Sequence, residues 1–413
     1  MDHRGKDGPY IWGIYQSVNP ALFSAFWGRN VLTTGELGSA LDASAVVEVA
    51  AAAADDVDRK GRFPHEAVDA LRQSRLLSAS LPAEFGGRGS SISELARVTR
   101  ELGAACSSAA MIFAMHHSQA LTLRFHAATP AAADLAREVA RAEALLASAT
   151  TEITTGGDVR SSTCAVQTDG DRVHLEKKAP VISYGEYADY ICTTARRNSD
   201  SPPGDQVLVV CPRAETELTK TSEWDTLGFR GTCSPGFMLV ADTSVDHVIP
   251  VDYSIISAHT MQPSSHTLWA SAWLGIADAA VAKARTEVRA AARKTPGSTP
   301  PQAARFADLL ELHQRFESSV SHGISHYEEF LAAGHLEPTI GFSVAMNNLK
   351  LTASTAVVEI VAAALTICGI NGYRENHRAS MGRLLRDSYG PALMVSNDRI
   401  RANNSQLVLA LRG

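Results

Sequence analysis

The feature that most constrains this chain is a double change of texture. From Asp42 to about residue 145 it is alanine-rich and helical. From Leu146 to about Val251 it turns rich in Thr and Val, in short alternating segments: 'STCAVQTDGDRVHLEKK', 'ADYICTTARR', 'QVLVVCPR' and 'GFMLVADTSV'. After Ser254 the helical pattern returns and runs to the end. Alternation over a few residues signals half-buried strands, and clusters such as 'TDGD' and 'NSDSPPGD' supply the turns between them. Helical and strand blocks that stay separate predict an α+β architecture, not an alternating parallel-sheet fold. The expected division is an N-terminal extension over 1–41, a helical domain over 42–145, a middle antiparallel sheet or barrel over 146–252, and a helical domain over 253–413.

Local signals sharpen the helical blocks. Asp42 opens 'DASAVVEVAAAAADDVDRKG' as an N-cap, and Gly61 closes it before Pro64. 'HEAVDALRQSRLL' puts Val68, Leu71 and Leu76 near one face. Ser91 and Glu94 fit a capping box at the head of 'SISELARVTRELG', with Gly103 expected as the stop. 'SSAAMIFAMHHSQALTLRFHA' is apolar nearly all round, which predicts a buried central helix. 'ASAWLGIADAAVAKARTEVRAAAR' reads as a long amphipathic helix that breaks at 'ARKTPGSTPPQ'. The first 40 residues, with Tyr10, Trp12, Tyr15, Phe23, Phe26 and Trp27, read equally well as an arm packing on a partner subunit or as a poorly ordered leader.

Composition matters mainly for what it excludes. A length of 413 residues suggests two or three domains. A net charge of -6 without a long basic run argues against nucleic acid as a partner. Six widely spaced cysteines with no CxxC pair read as reduced thiols, not as a metal site or disulfide frame, and point to a cytoplasmic protein. The N-terminus lacks the charged and apolar regions of a signal peptide, and no uninterrupted apolar stretch reaches membrane-spanning length.

Six segments then carry a resemblance. They are 'LPAEFGGRGSSISELARVTRELG', 'ASATTEITTGGD', 'KKAPVISYGEYAD', 'WDTLGFRGTCS', 'ARKTPG' and 'TICGINGYRENHRASMGRLLRD'. In order and spacing they resemble the motifs of the acyl-CoA dehydrogenase family, a flavoprotein superfamily that includes flavin-dependent monooxygenases of the same fold. The match runs from about residue 44 to the C-terminus. It implies a helical N-terminal domain, a middle β-barrel or sheet domain and a C-terminal four-helix bundle. It also implies FAD, with cofactor contacts from Thr150, Thr151, Gly156, Ile182, Ser183, Thr232, Thr295 and Gly369. Arg293 would pair with the cofactor pyrophosphate across a homodimer or homotetramer interface. Val181 stands where the family usually has a ring-shielding Trp, Thr366 replaces a Gln, and Ile370 replaces a Gly.

The same resemblance places substrate near Gly157, Ser265 and Val395, the last two being the family's alternative positions for the glutamate that removes an α-proton from an acyl thioester. Here neither is a carboxylate. The leading expectation is α,β-dehydrogenation of an acyl-CoA or carrier-protein thioester with a substitute base, His266 or Asp398, and electrons passing to a partner or O2. The first alternative is a flavin monooxygenase using O2, for which His117 beside His116, together with Ser234, would be candidate site residues. The second is an inactive partner subunit.

Overall fold

The computed structural model describes residues 41–411, except 155–158, 295 and 335–336. Five helices come first: α1 (Ser44–Lys60), α2 (His65–Gln73), α3 (Ile92–Ala105), α4 (Ser107–His126) and α5 (Pro130–Ala142). Gly61 closes α1 in the left-handed conformation at φ 61°. At the other end Asp42 takes the Ser44 N–H on its carboxylate, 3.0 Å, one residue ahead of the cap position at Ala43. Both halves of the Ser91–Glu94 capping box form. Leu76 is buried, but it lies beyond α2, past the left-handed Arg75.

Gly103 does not stop α3; it is a packing residue. A Cβ there would meet the Ala272 carbonyl at 2.3 Å, and one at Gly275 would meet the Arg100 carbonyl at 2.1 Å. The two glycines let α3 and a C-terminal helix cross at backbone distance, and that close approach requires the absent side chains. The central helix α4 is buried along nearly its whole length, as an all-round apolar sequence demands.

The middle block is two sheets of four strands. The first has the order β1 (Leu146–Ala149), β4 (Tyr190–Arg196), β5 (Gln206–Pro212), β8 (Val248–Ile249). The second has the order β2 (Gln167–Asp169), β3 (Arg172–Ala179), β7 (Phe237–Ser244), β6 (Thr216–Lys220). One pairing departs from the antiparallel expectation. β1 runs parallel to β4, with Leu146 opposite Tyr190, because it enters straight from the helical domain and not from a hairpin. In β3 the inward positions are Val173, Leu175, Lys177 and Ala179, so strict alternation carries a lysine into the core.

A short helix α6 (Tyr253–Ile256) leads through a π-turn (Ser257–Met261) into α7 (Gln262–Lys294). Then come α8 (Gln302–Ala332), α9 (Ile340–Cys368), the single turn α10 (Ile370–Tyr373), α11 (Gly382–Leu393) and α12 (Asn397–Leu407). The expected amphipathicity of α7 holds only for its second half, since every residue from Pro263 to Ala277 is buried between α3, α4 and α9. By length and composition α9 is apolar enough to cross a membrane, at mean hydropathy 1.9. A search for uninterrupted apolar runs passes over it because Asn347, Lys350 and Glu359 interrupt it. Here it packs on α7, α8 and α11.

Candidate active site

Two loops meet at the edge of the sheet block. The Ile182 N–H donates to the Pro235 carbonyl, 3.0 Å, and the Tyr184 N–H to the Thr232 carbonyl, 2.8 Å. Tyr184, Phe229 and Cys233 all hold left-handed backbone, at φ 45°, 49° and 41°. Such conformations cost a bulky residue energy and gather where a loop is shaped for a task. The strain is held in place by burial. Tyr184 is enclosed and its hydroxyl donates to the Leu146 carbonyl, 2.9 Å.

These loops carry a row of hydroxyls. Thr232 and Ser234 lie 2.8 Å apart, and Ser234 donates to Ser183 at 2.9 Å. Thr232 and Ser234 are buried, and Ser183 is half-buried at the open end. With Ser234 donating to it, Ser183 keeps its own proton for an outside acceptor. Buried Asp387 anchors the row from behind. It accepts the Phe229 N–H at 2.6 Å and the Ser107 hydroxyl at the head of α4, although burial pushes its carboxyl upward. A Cβ at Gly231 would strike Val57 at 2.3 Å, so the turn sits hard against α1 as well as on α4.

At the end of β1 stand half-buried Thr150 and Thr151. The next residue, Glu152, turns inward and pairs with buried Lys177 at 3.0 Å. Lys177 also donates to the Thr194 carbonyl, 2.6 Å, and hydroxyl, 2.9 Å. Burial alone would raise the Glu152 carboxyl, but the Lys177 charge and bonds from Ser162 and Thr163 hold it at about 2. This pair fixes the segment that leads to Gly156 and Gly157, which themselves lie outside the described residues. Sequence reasoning missed the pair, although the inward register of Lys177 in 'RVHLEKKA' was its signal.

The other expected site residues are dispersed. Ile182 is buried, with its N–H and carbonyl both used inside the loop, the latter by Gly185. Arg293 is exposed, 28 residues along α7 from Ser265, roughly 42 Å at 1.5 Å per residue. Thr295 lies outside the described residues. Gly369 is exposed at φ 58°, capping α9.

The residues expected to act as bases are placed as follows. His117 is enclosed, with Nε2 donating to the Leu76 carbonyl, 3.0 Å, and Nδ1 against the Ser80 hydroxyl, 3.0 Å. Burial and then His116 push it well below the usual range. His116 is likewise occupied. It accepts the Leu146 N–H at 3.1 Å and donates to the Leu77 carbonyl at 2.7 Å, and burial lowers it to about 4. Both rings therefore fasten α4 to its neighbours. Asp398 is exposed and pairs with Arg401, 3.2 Å. Ser265 is buried and donates to Ser118 on α4, 3.1 Å. His266 donates from Nδ1 to the Met346 carbonyl, 3.0 Å, which leaves Nε2 as the lone-pair nitrogen, and burial lowers the ring to about 4.

The two family glutamate positions nonetheless converge. His266, next to Ser265, rests on Met346 of α9. One turn further along α9, Lys350 donates to the side-chain oxygen of Asn397, 2.7 Å, two residues past Val395. Lys350 is fully buried, with no carboxylate partner among the described residues; burial, then the Arg401 charge, lowers it to about 8. Val395 is exposed and left-handed at φ 45°. That is a genuine strain for a β-branched residue.

The helix–sheet–helix scaffold has the acyl-CoA dehydrogenase fold. Residues 41–150 match the acyl-CoA dehydrogenase N-terminal domain family. Among curated proteins, the chain is 26% identical to the amino sugar nitrososynthase DnmZ of Streptomyces peucetius, over 80% of this chain and 82% of that one. Among solved structures it is similar to FMN-bound TdsC, a dibenzothiophene monooxygenase from Paenibacillus sp. A11-2, with a TM-score of 0.78 at 20% identity, covering 91% of this chain and 98% of that one. It is also similar to butyryl-CoA dehydrogenase from Megasphaera elsdenii, with a TM-score of 0.76 at 18% identity, covering 91% and 100%. The fold thus hosts both dehydrogenases and oxygenases.

Proposed function

We propose that this protein is a flavin-dependent monooxygenase, not an acyl-CoA dehydrogenase. The carrying observation is that the flavin-side hydroxyl row is intact while both glutamate positions have lost their carboxylate. Dehydrogenation needs a base within hydrogen-bond reach of the α-proton. Ser265 spends its hydroxyl on Ser118, Val395 cannot ionise, and Asp398 is a solvated surface acid. Oxygenation needs no such base. The nitrososynthase similarity supports the same side, against the expectation that put dehydrogenation first.

A bound, reduced flavin would supply two electrons to O2, with one oxygen atom entering the substrate and the other leaving as water. The chain's own contribution is to hold the ring. Ser183 has a donor to offer a ring nitrogen, Thr150 and Thr151 offer backbone, and His266 is a poor base, because burial lowers its ring to about 4. FMN and FAD differ in whether a pyrophosphate needs a cation. With FAD, and Arg293 reaching from a neighbouring subunit, Arg293→Ala weakens FAD binding; with FMN it changes nothing.

The test compares two reactions of the flavin-loaded protein. Reduced protein mixed with 18O-labelled O2 and an amine or sulfide substrate is expected to place label in the product. Anaerobic titration with butyryl-CoA is expected to leave the oxidised flavin band unchanged. Bleaching by butyryl-CoA, without label transfer to any oxidisable substrate, returns the assignment to dehydrogenation. Ser183→Ala is expected to weaken flavin binding or slow turnover about tenfold, as loss of one ring hydrogen bond implies.

A further inference from the structure

The hydroxyl row of the candidate site is one proton short. Four oxygens stand in line: the Phe229 carbonyl, Thr232 at 2.9 Å from it, Ser234 at 2.8 Å from Thr232, and Ser183 at 2.9 Å from Ser234. Each of the three hydroxyls brings a single proton. The three internal contacts are all filled only when every hydroxyl points inward, Ser183 to Ser234, Ser234 to Thr232, and Thr232 to the Phe229 carbonyl. In the arrangement found, Ser234 donates outward to Ser183. Thr232 then has one proton for two contacts, with the Phe229 carbonyl and with Ser234. One contact is left without a hydrogen, among residues that are buried.

The heavy atoms need not move for the row to reverse. Asp387 holds Phe229 in place through its N–H, 2.6 Å. The Phe229 carbonyl also accepts the Thr232 N–H, 3.0 Å, and the Trp224 Nε1–H, 3.2 Å, so it tolerates the loss or gain of the Thr232 hydroxyl. The Thr232 carbonyl offers Ser234 a second acceptor at 3.2 Å, but that oxygen already takes the Tyr184 N–H at 2.8 Å. Reversal therefore asks only for rotation about three C–O bonds, and aligned hydroxyls strengthen one another in either direction. An oxidised flavin presents N5 as an acceptor. Reduction by two electrons, with a proton at N5, makes it a donor. Facing the acceptor, Ser183 donates outward and the row stays one proton short. Facing the donor, Ser183 accepts, the hydroxyls turn inward, and every contact is filled. No proton leaves the row in either direction.

We propose that Ser183, Ser234 and Thr232 form a reversible hydrogen-bond relay that responds to the redox state of the flavin and favours its reduced form. This rests on the flavin-binding part of the proposed function and holds whichever reaction the reduced flavin enters. The flavin-loaded full chain is reduced in equilibrium with a reference dye, and its two-electron potential is compared with that of Ser234→Ala. In the variant Thr232 keeps its bond to the Phe229 carbonyl, and Ser183 meets N5 in both states without the row. One hydrogen bond of preference for the reduced form is lost, so that preference should fall about tenfold, a potential about 30 mV lower for a two-electron couple. A merely structural Ser234 would weaken oxidised and reduced flavin alike and leave the potential where it was. Ser183→Ala removes the link, and adding Ser234→Ala to it should then leave the potential unchanged. The unmodified chain, labelled with carbonyl-13C phenylalanine, supplies a readout that does not depend on the folding of Ser234→Ala. On reduction the Phe229 carbonyl gains the Thr232 hydroxyl, so its infrared band should move to lower frequency, and Thr232→Val should abolish that shift. An unchanged or raised potential in Ser234→Ala, the same drop in the Ser183→Ala background, or a carbonyl band indifferent to reduction would each overturn the relay. A chain that takes up no flavin removes the relay and the flavoenzyme reading together, whereas absence of 18O label from product removes oxygenation alone.

Discussion

Lys177 shows how much one side chain decides here. It is fully buried, paired with Glu152 and bonded twice to Thr194, directly behind the threonines expected to meet the flavin. Removing one partner of a buried pair strands the other charge, at a cost of about 3–5 kcal/mol. Lys177→Met is therefore expected to lower the thermal midpoint and to release flavin, measured by calorimetry and by flavin fluorescence in the filtrate. Replacing Glu152 by Leu in the same chain should recover part of that loss; a double variant as unstable as the single one would show that the pair is not the cause. At this scale the sequence was partly legible. Alternation in β3 puts position 177 inward. What no alternation reveals is the partner, since Glu152 lies in a different loop and the two meet only through the sheet. The unpaired Oε1 of buried Gln119 was opaque for a similar reason, being a property of the surroundings of α4 and not of that helix's sequence.

Among the elements, the α3–α7 crossing carries the clearest expectation. Gly275 and Gly103 each face a backbone carbonyl of the other helix at distances no Cβ can occupy. Gly275→Ala should separate the helices and cost about 1–3 kcal/mol, the usual range for overpacking, read as a lower unfolding midpoint; an unchanged midpoint would mean the crossing has slack. Gly103 was read as a helix stop because glycine near a helix end commonly caps it. Here packing won, and the helix ran two residues further. The parallel β1–β4 pair was hidden because a four-residue strand within 'LLASAT' has no alternation to display. The blocks themselves, helical, then sheet, then helical, were plain from texture alone.

For the molecule as a whole, acid sensitivity follows from its buried histidines. Burial is the chief cause in each case, lowering His116 and His266 to about 4 and His126 to about 3. These groups bind protons more readily unfolded than folded, so their stabilising share is complete above about pH 6.5 and is lost as pH falls toward 4. Each titrating histidine contributes a slope of about 1.4 kcal/mol per pH unit in that window. Thermal midpoints taken between pH 7 and 4 should fall steadily, and His266→Asn should flatten the fall; a midpoint flat across that range would mean these rings already accept protons in the folded state. The six motif segments marked out the scaffold because they shape backbone. The reaction was harder to read because it depends on which side chains converge on α9, three segments that the linear order keeps far apart.

The strained turn at Val395 has a genetic consequence. A valine codon ending in A or G differs from a glutamate codon by a single base. The turn is already held by Asn397 and Lys350, and the backbone that would present a carboxylate is already bent at φ 45°. Where Val395 is encoded by such a codon, the step from the proposed oxygenase to a chain with a carboxylate at this position is one nucleotide wide. A library made by error-prone copying and screened on butyryl-CoA would reach that variant without design.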